Sequence, residues 1–244
     1  MTQRAVVHAL LRSHGTTYAQ DAGIKLRDTP QPLYQLLVLA LLLSAPIRAR
    51  VAVATSRALS DAGLRSAHRT ADATWQQRVD ALVRGGYRRY DESTATRLGD
   101  GADLLIRRWH ADPRGMRAEA DGDVPHLRHL LQDLPGIGPT GADIFLREVQ
   151  GVWPEVVPYF DTRALHGADR LGLAEDATAL ARLAGDSGPA TLAAALVRAS
   201  LDDDIVHECL REAGQDHRSR SDGGGSNGDH NRSKGHGGGR GTSA

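Results

Sequence analysis

Leu134-Pro135-Gly136-Ile137-Gly138-Pro139-Thr140-Gly141-Ala142-Asp143-Ile144 is a tight turn between two stretches whose apolar residues recur at helical spacing. The flanks read as helices over Pro125 to Asp133 and Gly141 to Gln150. Gly136 and Gly138 carry no Cβ, so both accept positive φ without steric cost. The amides that open the second helix then point outward as a nest, and the helix N-terminus adds a favourable partial charge for one phosphate. A plain helical hairpin with a Gly-Pro turn would use the same residues.

Working outward, the pattern stays helical. Thr29-Pro30-Gln31-Pro32 is a start signal, followed by Leu33, Leu36, Leu37, Ala40, Leu41 and Ser44 at helical spacing. Val38, Leu39, Leu42 and Leu43 are apolar as well, which predicts a central helix buried nearly all round. Further helices are expected over Gln3 to Ser13, Arg48 to Ala62, Thr74 to Gly85, Asp91 to His110, Thr162 to Leu171, Glu175 to Ala184 and Gly188 to Ala213. No stretch sustains period-two alternation, so the expected class is all-α.

Composition narrows the function. The 244 residues balance 30 basic against 30 acidic side chains, which argues against coating nucleic acid by bulk charge and leaves room for a local cationic surface. Only Lys25 and Lys234 are lysines, so Schiff-base chemistry has almost no candidates. The single cysteine, Cys209, excludes an internal disulfide and the four thiolates of an iron–sulfur cluster. The longest apolar run, Leu36 to Leu43, is far short of the ~20 residues that span a bilayer, and the first residues do not resemble a signal peptide. The chain reads as cytoplasmic, with no membrane partner. From Gly214 to Ala244 no aliphatic residue is larger than alanine, so 214–244 is expected to be a disordered, solvated tail.

Four blocks in order carry a family resemblance. Leu134-Pro135-Gly136-Ile137-Gly138 with Ala142 resembles the helix-hairpin-helix motif of the endonuclease III superfamily of DNA glycosylases. Pro158-Tyr159-Phe160-Asp161-Thr162-Arg163-Ala164-Leu165 resembles the segment bearing that superfamily's catalytic aspartate. Leu41-Leu42-Leu43-Ser44-Ala45 is similar to its buried helix ending in a DNA-probing loop, and Gly86-Tyr87-Arg88-Arg89 to its glycine–tyrosine turn. The resemblance spans about Thr29 to Gly172.

It implies an all-α, two-lobed fold with a cleft. A six-helix lobe over 29–152 would hold the hairpin at 134–144, and a terminal-helix lobe would combine 1–28 with 153–213. Asp161 would be catalytic at the cleft. An Asp that opens a helix is ordinarily an N-cap, and the two roles are compatible. Breaking an N-glycosidic bond builds positive charge on the sugar, which a fixed carboxylate stabilises while orienting water. Gly136, Ile137, Gly138, Thr140 and Gly141 would contact the DNA backbone. Pro46, Ile47 and Arg48 would form the probing loop, where family members often have glutamine in place of Pro46. The partner would be double-stranded DNA with a damaged or mismatched base, acted on by a monomer.

Departures sharpen the expectation. Bifunctional members place a nucleophilic lysine where this chain has Thr140, which implies a monofunctional glycosylase without a lyase step. No cofactor is expected and no metal ligand set is assigned; a cation on the hairpin carbonyls near Leu134 and Ile137 would follow family precedent. Tyr87, Tyr90 and Tyr159, with Trp153 beside them, are candidate walls of a pocket for an extruded base, against their ordinary use in the core. Arg84, Arg88 and Arg89 read as solvated surface, with phosphate contact as the alternative, and the Asp202-Asp203-Asp204 run reads as a solvated charge run. The lesion stays open between alkylated purines, altered or mismatched pyrimidines and mispaired adenine. The rival readings are a non-catalytic helix-hairpin-helix DNA-binding protein and a scaffold that only resembles the hairpin.

Overall fold

The computed structural model describes residues 2–222, with side chains described through residue 215. Its α-helices are α1 (Gln3–His14), α2 (Tyr18–Asp21), α3 (Pro30–Ser44), α4 (Ala49–Asp61), α5 (Ala67–Asp72), α6 (Trp75–Arg84) and α7 (Asp91–Trp109). They continue as α8 (Arg114–Ala120), α9 (Val124–Gln132), α10 (Pro139–Val149), α11 (Thr162–Arg170), α12 (Ala177–Ala184), α13 (Pro189–Leu201) and α14 (Asp203–Asp222). Among the described residues there is no β-strand, so the protein is all-α. None of these helices is long and apolar enough to cross a membrane.

α3 is the central helix that its composition predicts. Pro30 sits in its first turn with φ already set, and Leu33, Leu36, Leu39, Ala40 and Leu42 are fully buried. It stops at Ser44 because Pro46 forces Ala45 into extended backbone, at φ −75° and ψ 154°. α3 packs against α4 on one side and α10 on another, so the second helix of the hairpin leans on the most apolar element of the chain. α1 packs against α12, α13 and α14, which puts the N-terminal helix among the last helices of the described chain. α13 in turn touches α10 and α11. At the α11–α13 crossing Gly167 removes the side chain between two backbones: a Cβ there would lie 1.9 Å from the Leu196 carbonyl oxygen.

Three features depart from expectation. The single helix expected over Gly188 to Ala213 is two, because Asp202 takes extended backbone and its carboxylate accepts the Asp204 N–H at 3.0 Å, opening α14 as a new helix. α14 continues to Asp222, so residues 214–222 of the expected disordered tail are helical; the rest of that tail, 223–244, lies outside the described residues. The short helices α2, α5 and α8 were not expected, since four to seven residues carry too little periodicity to register. Caps signal two of them: Thr17 and Gln20 form a capping box on α2, and Ser66 accepts the Arg69 N–H on α5.

Candidate functional site

The turn between α9 and α10 is anchored from below. Leu134 and Ile137 are each 5% exposed, with their side chains in the core, and the Ile137 N–H donates to the Leu134 carbonyl at 3.0 Å. Ile137 is therefore a buried anchor of the turn and not the exposed contact expected of it. Gly136 takes φ +90°, as expected, but Gly138 does not share it: at φ −89° and ψ −171° it is the extended N-cap of α10. Gly136 needs its conformation, and a Cβ there would also sit 2.9 Å from Arg97 Cδ; Gly138 faces open space. No side chain caps α10. Pro139 has no N–H, and the amides of Thr140 and Gly141 precede the first intrahelical bond, so they are left for an external acceptor. Gly138 and Thr140 are exposed, whereas Gly141 is buried against Ile137.

Asp161 is the N-cap of α11, with Oδ1 accepting the Ala164 N–H at 2.8 Å. Oδ2 accepts from the Arg147 guanidinium, in an ion pair whose side chains are only 3% and 7% exposed. Arg147 was not singled out by sequence. The signal was available, since Arg147-Glu148 interrupts the apolar run Ile144-Phe145-Leu146 and Val149 on a helix buried at all these positions. Two adjacent charges there demand partners. Glu148 finds its own in the backbone N–H groups of Tyr18 and Ala19, at 3.2 and 2.8 Å, and burial raises its carboxyl above the ordinary value despite Arg147 beside it.

These groups border one open cleft of about 670 Å3. Asp161 and Arg147 meet Thr140 of α10, Pro46 and Ile47 of the loop after α3, and His166 of α11. Arg48 is exposed at the start of α4 but does not border this cleft. A neighbouring recess of about 400 Å3 is lined by Gly136, Gly138, Tyr90 and Arg97, and shares Ser44, Ala45, Pro46 and Thr140 with the cleft. The structure thus brings together Asp161, Thr140, Pro46 and Ile47, which are scattered over more than a hundred positions of chain.

The expected aromatic walls are not gathered there. Tyr87 is 2% exposed and its hydroxyl accepts from Thr94 at 3.3 Å, under the smaller recess. Tyr90 borders that recess, with the Arg89 guanidinium 5.3 Å from its ring centre. Tyr159 does not itself border the cleft: its hydroxyl donates at 2.6 Å to Asp143, which does border it and which also takes Arg128 at 2.6 Å. Burial, then that hydrogen bond, raises the Tyr159 phenol. Trp153 is a core residue, edge-on to Phe145 at 5.6 Å, with its indole N–H on Asp28 at 2.9 Å. The aromatic bordering the cleft beside Asp161 is Tyr18, which sequence reading passed over.

An iron–sulfur cluster does not fit this chain. Cys209 is 2% exposed, and burial, with Glu212 and Glu208 nearby, pushes its thiol up to about 11, whereas a cluster ligand is a thiolate. Among the described residues no group of three or more His, Cys, Asp or Glu side chains is arranged to hold a metal ion. In the acidic run, Asp203 pairs with Arg170 and Asp202 caps α14. Comparison with protein-family models, curated proteins and solved structures finds no match for this chain.

Proposed function

We propose that this protein is a DNA glycosylase that hydrolyses the N-glycosidic bond of a damaged or mismatched base, using Asp161 and water, without a lyase step. The observation that carries the reading is the shared cleft: a buried, immobilised carboxylate at the start of α11 faces the uncapped start of α10 and the loop after α3. The uncapped amides of Thr140 and Gly141 suit one phosphate of the DNA backbone. The loop at Pro46 and Ile47 presents an apolar edge suited to filling the gap left by an extruded base. Asp161 is held at both oxygens before any substrate arrives, so it opposes the developing sugar cation without reorganising. Water adds to the sugar carbon as the bond to nitrogen breaks; the base leaves with the bonding electrons and takes up a proton. Thr140 stands where a lysine would attack, so no covalent sugar intermediate forms. Such an enzyme works as a monomer on chromosomal DNA in the cytoplasm.

One observation favours the rival, a non-catalytic DNA-binding protein: the guanidinium of Arg147 neutralises Asp161 and occupies one of its oxygens. A panel of labelled duplexes with single lesions, treated with and without alkali, separates the two. The expected result is strand breakage only after alkali, reduced at least about 10²-fold in Asp161→Asn. A melting curve must accompany that variant, because it leaves a buried guanidinium without its anion. Base release by a folded Asp161→Asn at the wild-type rate would remove Asp161 from the mechanism. Tight binding with no release from any duplex would establish the rival.

A further inference from the structure

The cleft does not end at the loop after α3. Tyr18 and Ala49 border both the cleft and an adjoining groove of about 440 Å3 that runs along α4. Arg50 and Arg57 stand seven residues apart on α4, on one face of the helix, and Arg198 of α13 closes the far wall. The one carboxylate in the groove, Asp21, is already neutralised: Oδ2 takes Arg198 at 2.7 Å and Oδ1 takes the Thr16 hydroxyl at 2.9 Å. Arg198 also donates to the Thr16 carbonyl at 2.7 Å and lies 4.4 Å from the centre of the Tyr18 ring, so it is a fixed part of the wall. Arg57 reaches the Asp21 carbonyl, a neutral acceptor that leaves its charge uncompensated. Arg50 is exposed and makes no side-chain hydrogen bond or ion pair among the described residues.

The groove therefore holds two uncompensated guanidinium charges. The contrast with the groove beside α5 and α6 is direct, for there Arg69 and Arg84 face Asp72 and Asp80, sign for sign. Seven residues of helix rise about 10 Å, and each guanidinium sits at the end of a long flexible stem, so Arg50 and Arg57 can engage two separate phosphates of one strand. Guanidinium forks suit phosphate oxygens.

We propose that the α4 groove binds the phosphodiester backbone of the DNA strand leaving the cleft, with Arg50 and Arg57 each contacting a phosphate. The proposal rests on the reading of the cleft as a DNA site. It adds a sequence-independent clamp, so its effect is on affinity and its salt dependence and is uniform across base sequences.

The test is binding of the full chain to an undamaged 20-base-pair duplex, by anisotropy, over a series of salt concentrations. Each phosphate contact contributes ~0.9 to the slope of log affinity against log salt. Arg50→Ala/Arg57→Ala is expected to flatten the slope by about 2, and Arg50→Ala alone by about 1. Arg50→Ala disturbs no packing and guards against a folding defect. Arg65→Ala/Arg69→Ala removes the same charge elsewhere on the surface and is expected to keep the wild-type slope. A wild-type slope in the groove variants overturns the proposal while leaving the cleft reading intact. A slope lowered equally by the Arg65/Arg69 pair also overturns it. Wild-type protein with no salt-dependent affinity for DNA overturns the cleft reading and the groove with it.

Discussion

Gly167→Ala tests how Asp161 is placed. Gly167 lies in α11, whose first turn is capped by Asp161, and a Cβ there would be 1.9 Å from the Leu196 oxygen and 2.7 Å from its carbonyl carbon. An ordinary contact needs about 3.5 Å, so α11 and α13 must separate by about 1.6 Å or bend. The obstacle is backbone in the middle of α13 and cannot swing away like a side-chain tip. Inserting a methyl into packed helices costs ~1–3 kcal/mol and more where backbone must move, while Ala regains ~1 kcal/mol of helix propensity. The separation also loosens the buried contacts along both helices, and the expected net loss is about 2–4 kcal/mol. For a chain of this size that lowers Tm by roughly 4–16 °C, measured by calorimetry or by far-ultraviolet dichroism. Base release is expected to fall more than binding, because α11 carries Asp161. Gly101→Ala is the internal control: it is also helical, its nearest neighbours are 3.9 Å or more away, and it should raise stability by up to ~1 kcal/mol. Gly167→Ala with unchanged Tm would refute the close crossing of α11 and α13.

The two hairpin glycines should separate structure from binding. Gly136→Ala is expected to lose about 2–4 kcal/mol in urea denaturation, from a left-handed backbone and a 2.9 Å approach to Arg97, whereas Gly138→Ala should keep stability and weaken DNA binding by crowding the approach. Equal effects of the two substitutions on stability would contradict this assignment. Glu148 should make stability depend on pH. Burial raises its folded-state pKa, so the folded chain binds more protons than the unfolded one. Its contribution is most favourable in acid and is lost as pH rises from the ordinary value of 4.5 through the folded value. The difference in urea midpoint between wild type and Glu148→Gln, followed from pH 4 to 8, should therefore drift against wild type as pH rises; a difference that is flat or moves the other way would exclude a raised Glu148.

Much of the fold was legible because long helices announce themselves. The α3 sequence has one low-energy solution, burial on all sides, and its proline signals mark where it starts and where the chain turns. α7 and α10 likewise begin within two residues of their expected starts, since caps and apolar spacing act locally. Asp161 as an N-cap was readable for the same reason. α13 and α14 were not separable, because Asp202 in extended backbone looks in sequence like one more polar residue on a helix face.

The site divides along the same line. Sequence by itself determined the helical class, the positive φ at Gly136 and the capping of α11 by Asp161. Only tertiary structure decided that Arg147 would be the partner of Asp161, that Tyr87 and Trp153 would be spent on the core, and that Tyr18 would border the cleft. The reason is range. Turn conformation and helix capping are settled within four residues, by sterics and by hydrogen bonds that the local chain supplies. Which buried charge meets which, and which ring faces water, depends on how α3, α10, α11 and α13 pack, and no window of sequence contains all four.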